Sequence, residues 1–230
     1  MKRSLVVAMC LAAIGAAQAD DGLTANISLT TKYKYRGQDQ SDATKESVPA
    51  IQGGFDYTFG GFYLGNWNSS IGFAHGTEVD VYGGYRGTFG SIGYDVGVLQ
   101  YYYPGSGVSN LNTTEIYGAL NWSFLGVKYS STVSDKYFGF EEARGTGYLD
   151  LAANYALMEK LTLNAHVGFT HFPSDAKDLG ATNYSDYKLG ATWDFGSGVS
   201  LGGAYVGANK KDVYGDINKG RVIVTLTKTM

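Results

Sequence analysis

The stretch Thr24-Ala25-Asn26-Ile27-Ser28-Leu29-Thr30-Thr31-Lys32-Tyr33-Lys34-Tyr35-Arg36 is written in period two. Ala25, Ile27, Leu29, Thr31, Tyr33 and Tyr35 share one parity, and Asn26, Ser28, Thr30, Lys32, Lys34 and Arg36 share the other. Side chains alternate across a β-strand, so one face is greasy and the other carries charge. The same alternation continues to the C-terminus in segments of roughly ten residues, joined in turn by very short connections and by longer polar ones. A soluble sandwich has the first property but not the second. The expected fold is therefore all-β: a transmembrane antiparallel up-and-down barrel, apolar toward lipid and polar toward its lumen.

Twelve strands are expected: Thr24–Arg36, Val48–Phe59, Phe62–Phe73, Thr77–Phe89, Ser91–Tyr103, Thr113–Phe124, Leu125–Ser134, Thr146–Leu157, Leu161–Phe172, Tyr184–Phe195, Gly198–Ala208 and Gly220–Lys228. Gly60-Gly61, Gly90, Met158-Glu159-Lys160 and Gly196-Ser197 are hairpin turns by length, and a further tight turn falls near Phe124–Gly126. The intervening connections are longer and polar, except Ala74-His75-Gly76. Short turns on one side and long loops on the other put both termini on the turn side, which needs an even number of strands. Tyr57, Phe59, Tyr63, Phe89, Phe124, Tyr155, Trp193 and Phe195 are expected to form one lipid-facing aromatic girdle. Tyr33, Tyr35, Phe73, Tyr102, Phe169, Tyr187 and Tyr205 form the other, with Leu29, Val81, Val96, Leu151, Ala165 and Leu201 between them.

The N-terminus points to the same compartment. Lys2 and Arg3, the apolar run Leu5 to Ala17, and Ala17-Gln18-Ala19 have the form of a cleaved secretory signal peptide over residues 1–19, followed by a barrel domain over 20–230. Cys10, the sole cysteine, lies in the apolar run and leaves with it. Removing Lys2 and Arg3 lowers Lys+Arg from 18 to 16 against 21 Asp+Glu, a formal charge of −5. Such a balance gives no footprint for nucleic acid. Glycine (33) and tyrosine (19) are abundant and proline (3) is scarce, as a curved, ladder-bonded wall between two interfaces requires.

Several segments resemble the TorF family of bacterial porins, long described as proteins of unknown function. They are Tyr33-Lys34-Tyr35-Arg36-Gly37 with Gln40-Ser41, Pro49-Ala50-Ile51-Gln52-Gly53, Gly61-Phe62-Tyr63-Leu64-Gly65-Asn66-Trp67, Glu78-Val79-Asp80-Val81-Tyr82-Gly83-Gly84-Tyr85 and Tyr103-Pro104-Gly105. The resemblance spans nearly all of the chain after residue 19 and implies an outer-membrane barrel and a porin. Barrels of this kind often finish on an aromatic residue read by the insertion machinery. This chain finishes Lys228-Thr229-Met230, with Met230 keeping the parity of Val222, Val224 and Leu226.

The parity opposite the apolar one gives the pore-lining candidates. The acids are Asp56, Glu78, Asp80, Asp95, Glu115, Asp150, Asp186 and Asp194, and the bases are Lys32, Lys34, Arg36, Arg86, Lys128, Lys188 and Arg221. Eight acids against seven bases suit either a lumen laced with ion pairs or opposed ladders around a water-filled constriction. Lys32, Lys34 and Arg36 repel one another on one strand face unless offset, so they form an anion-attracting stripe or pair with acids on neighbouring strands. Enzymatic chemistry is not expected. His75, His166 and His171 lack a cysteine or a suitably placed serine, and Asp135, Glu141 and Glu142 lack the spacing of a calcium loop, so neither cofactor nor metal is expected. The expected function is passive or weakly selective passage of small hydrophilic solutes, with outer-membrane lipid and the insertion machinery as partners. The alternative is a plugged structural or adhesin-like barrel that works through its outer loops.

Overall fold

The computed structural model describes residues 21–105 and 111–230, with the side chain of His75 excluded. The expected signal peptide over 1–19 and the middle of the loop after Tyr103 lie outside the described residues.

Alternation produces a wall strand in each of the twelve expected places. They are β1 (Gly22–Thr30), β4 (Ala50–Phe59), β5 (Phe62–Ser70), β6 (Thr77–Phe89), β7 (Ile92–Tyr102), β8 (Thr113–Trp122), β9 (Leu125–Thr132), β10 (Gly147–Met158), β11 (Leu161–His171), β12 (Tyr184–Gly196), β13 (Val199–Ala208) and β14 (Arg221–Thr229). These twelve close into one barrel in which sequence neighbours pair antiparallel and β1 closes on β14. Closure is what lets a sheet sit in lipid, because every backbone donor and acceptor then finds a partner. Val81, Leu151 and Leu201 point outward, with aromatic residues such as Phe59, Phe89, Trp193 and Tyr205 exposed toward the two ends. Met230 exchanges backbone hydrogen bonds with Ala25, and Asp21 accepts one from the Gly60 amide, so both ends of the described chain lie beside the hairpin turns.

The turns also correct one face assignment. Phe59 pairs with Phe62 across Gly60-Gly61, both glycines at positive φ. Residues flanking a two-residue turn face each other on the same side of the sheet. Phe62 and Leu64 therefore point outward, and Tyr63, expected in the girdle, turns into the lumen with Trp67.

The second correction is larger. β1 stops at Thr30, six residues short of the expected end, and the chain leaves the wall. Lys34–Tyr35 (β2) and Gln38–Asp39 (β3) form a small hairpin inside the barrel. Its turn is Arg36-Gly37, with φ of 46° and 75°, as a hairpin twisted like its flanking strands demands. Gly37 is obligatory there for a second reason. A Cβ on it would lie 2.5 Å from Asp186 Cβ and 2.7 Å from the Gly207 carbonyl oxygen. Tyr33 and Tyr35 thus face the interior rather than lipid, at 5% and 7% exposure. The early exit also shortens the seam: β14 runs from Arg221, but its register with β1 begins only at Thr225, opposite Thr30, and the two strands share five register pairs.

Other loops fold over the same end. Tyr137, Ala143, Phe172, Ala176, Ala181, Tyr184 and Ala208 form one buried cluster there, and Tyr33, Tyr35, Trp67, Ile71, Tyr101 and Tyr103 belong to a second. Two short helices, α1 (Ser174–Asp178) and α2 (Lys211–Tyr214), sit in these connections.

Candidate functional site in the barrel lumen

The infolded segment 31–49 is a finger whose own chemistry holds it in shape. Asp39 draws in three cations: Lys32 at 3.6 Å, Lys34 at 3.2 Å and Arg221 at 3.9 Å. The Lys32 ammonium also donates to the carbonyls of Asp42 (2.9 Å) and Lys45 (2.7 Å). That of Lys34 donates to Gly37 (2.8 Å) and Ile217 (2.9 Å). At the far end of the finger, Glu46 takes Lys219 at 3.3 Å and also pairs with Arg221. The bond from Lys219 holds the Glu46 carboxyl below its ordinary value.

Arg36 does something different. From the tip it crosses the lumen to Glu115 on β8 and makes two parallel bonds, Nη1 to Oε1 at 2.8 Å and Nη2 to Oε2 at 2.7 Å. Its Nη1 also donates to the Tyr137 hydroxyl at 2.8 Å. The guanidinium carbon lies 4.1 Å over the Tyr148 ring and 4.8 Å over Tyr35. Burial pushes the Tyr137 phenol up to about 12, which keeps it a neutral acceptor. A planar fork held edge-on by a carboxylate and face-on by rings is the geometry that suits guanidinium and not ammonium.

The remaining candidates fall into two layers. Glu78, Asp80, Asp150 and Asp186 are buried near the loop end, as is Arg221. Glu78 accepts from Tyr33 (2.8 Å) and Tyr103 (2.7 Å). Asp80 pairs in register with Trp67 and Tyr101, and its Oδ1 has no hydrogen-bond partner among the described residues. His166 on β11 spans Asp150 and Asp186, 3.0 Å from each. Toward the turns, Asp56, Arg86, Asp95, Lys128, Lys188 and Asp194 also face inward but keep part of their surface in solvent. There Arg86 and Lys128 lie over the rings of Tyr63 and Tyr117, at 4.2 and 3.9 Å, and Tyr63 donates to Asp95.

The structure regroups the candidate charges. Of the seven bases expected on the wall, Lys32, Lys34 and Arg36 belong to the finger, leaving eight acids and four bases on the strands themselves. The wall is thus acidic, while the finger carries Lys32, Lys34, Arg36 and Lys45 against Asp39, Asp42 and Glu46, a net charge of +1. Sequence reasoning missed Asp39, Tyr137 and Tyr148. Tyr148 shares the parity of Asp150 and was findable that way. Asp39 and Tyr137 lie in connections, where period two gives no face.

A family model described as "Bacterial protein of unknown function (Gcw_chp)" matches residues 15–230. The chain belongs to the Gcw_chp family. No curated protein matches this Gcw_chp chain in sequence. Among solved structures it is similar in fold to the KdgM porin in complex with disordered oligogalacturonate, at 11% identity and a TM-score of 0.57, over 90% of this chain and 97% of that one. The NanC porin gives 11% identity and a TM-score of 0.58 over 90% and 98%. The COG4313 outer membrane channel from Pseudomonas putida F1 gives 11% and 0.52 over 97% and 100%. At such identities the likeness is one of fold, and the fold is that of outer-membrane channels.

Proposed function

We propose that this Gcw_chp chain is an outer-membrane porin that passes small hydrophilic solutes or ions, exported by the signal peptide at its N-terminus and seated by the insertion machinery through β14. The TorF resemblance of its motifs belongs to the same reading. The observation that carries it is the layering of exposure. Inward charges near the turns remain wetted, whereas those near the loops are buried against the finger. A barrel meant only to be solid has no need of charges wetted from within. Twelve strands enclose more room than the eight-stranded kind that side chains fill. Passage of this sort needs no catalytic group, since charges along a narrow pore set its barrier.

Planar-bilayer recordings in a salt gradient test this. Wild-type protein should give small, discrete current steps. Replacing Lys32, Lys34 and Arg36 together with neutral residues should enlarge the steps and move the reversal potential toward cation preference, because the wall acids lose their offset. Folded barrels that insert and pass no current in either form would refute the channel. That outcome favours a second reading, a plugged barrel acting through its outer loops. The burial of Tyr137, Phe172 and Tyr184 at the loop end is the observation on its side.

A further inference from the structure

Lys32 and Lys34 satisfy themselves within the finger and its immediate neighbours, and only Arg36 crosses to a carboxylate on the opposite wall. The wall therefore does more than attract positive charge; it receives one particular shape. We propose that Glu115, Tyr148, Tyr137 and Tyr101 form a binding site for guanidinium-bearing solutes at the outer mouth, and that Arg36 occupies it as a tethered competitor. The site deepens the channel reading, on which it rests, by naming the class of solute admitted.

The wall and the loop that carries Tyr137 supply every contact a free guanidinium would need. Glu115, 1% exposed, presents both oxygens to the fork, and Tyr137 accepts a further N–H. Tyr148 offers a ring face at 4.1 Å. Tyr101, itself buried, lies with its hydroxyl 3.5 Å from Glu115 Oε2 and closes one side. Tyr35 alone among the ring partners leaves with the finger. A lysine ammonium has neither the second parallel bond nor the flat face to stack, so an amine of similar size is discriminated against.

The surroundings set the sign of the solute. Glu78 and Asp80 lie on the same lumen face of β6, and no cation among the described residues comes within 4.0 Å of either. With the finger withdrawn, Glu115 joins them as a third carboxylate, offset in part by Lys128 on the neighbouring β9. An anionic solute meets repulsion along this arc, and a cationic one meets attraction. The finger thus does two things at once. It neutralises Glu115 when no solute is present, and it yields to a solute that makes the same bonds.

The experiment uses the full mature chain folded in detergent, with methylguanidinium as probe and methylammonium as control, read by calorimetry and by tyrosine near-ultraviolet circular dichroism. Arg36→Ala empties the site, so it should bind methylguanidinium saturably. Loss of the carboxylate in Arg36→Ala/Glu115→Gln should weaken binding by about tenfold or more, as for a charge-assisted bidentate pair. Methylammonium should bind Arg36→Ala far more weakly. Binding that is equal with and without Glu115, or equal for the two cations, overturns the proposal. Should Arg36→Ala not fold, wild-type protein in the bilayer replaces it. Methylguanidinium on the loop side should then raise the current and methylammonium at the same concentration should not; no difference between them overturns it. Binding is read without current, so saturable binding by a barrel that conducts nothing refutes the channel reading and leaves the site standing.

Discussion

Arg36 sits at a residue-scale conflict between backbone and side chain. Its φ of 46° lies in the left-handed region, which a residue with a Cβ adopts at a cost, yet the same turn aims its guanidinium at Glu115. Breaking a buried pair on one side leaves an uncompensated charge and typically costs about 3–5 kcal/mol. Here the finger can withdraw and rehydrate Glu115, so the cost should fall on docking of the finger rather than on the barrel. Arg36→Ala should raise the open population of the finger by roughly a hundredfold or more, at about 1.4 kcal/mol per factor of ten. Limited trypsin digestion at Lys32, Lys34 and Lys45, with the barrel intact on heat-modifiable gels, checks this. An unchanged cleavage rate would mean that the pair does not hold the finger. The sequence shows why Arg36 matters only in part. Its parity places it inside, but nothing in period two reveals that it leaves the strand.

Element-scale reading was most secure where two hairpin strands share a short turn, and it failed where a turn was not used to fix the face. Phe59 outward and Gly60-Gly61 as the turn already require Phe62 outward, so the inward position of Tyr63 was legible from the chain. The end of β1 was not. Lys32 to Arg36 continue the alternation past the wall, because a hairpin inside the lumen is itself a period-two structure with one face toward carboxylates and the other toward rings. Arg36-Gly37 was the available signal, a left-handed turn with a residue that tolerates it. The face assignment elsewhere can be tested directly. Leu151→Arg on the lipid side of β10 should cost roughly 2–4 kcal/mol in unfolding from lipid, against little for Ser200→Arg on the lumen side of β13 beside Asp194. Equal costs in urea titrations of the two variants would show that the register is wrong.

Across the whole molecule, closure, strand number and the short-turn, long-loop rhythm follow from hydrophobic patterning alone. The distribution of charge does not. A tally of inward residues by parity gives near balance, while the folded chain separates an acidic wall from a finger of four bases and three acids. Parity assigns a face, and it cannot tell which inward residues ride on a wall and which on a segment laid against it. The separation predicts opposite responses to mutations of opposite sign. Neutralising the finger favours cations. Glu78→Gln with Asp80→Asn should move the reversal potential toward anions and leave the finger docked, since the amide oxygen introduced at 78 still accepts from Tyr33 and the Arg36–Glu115 pair is untouched. A shift toward cations in that variant would remove the acidic arc from the conduction path.

The seam where β1 meets β14 bears on how such a barrel is made. Residues 221–223 of β14 lie past the point where the chain leaves the wall to build the finger, and five register pairs and the bonds between Ala25 and Met230 close the seam. Until they form, the first and last strands are bare edges, and an edge in a membrane is both unsatisfied and sticky. A short zipper gathers little bonding energy, so this joint is the most weakly bonded of the barrel's strand pairings. The chain has given up length at its closing joint to carry an internal finger.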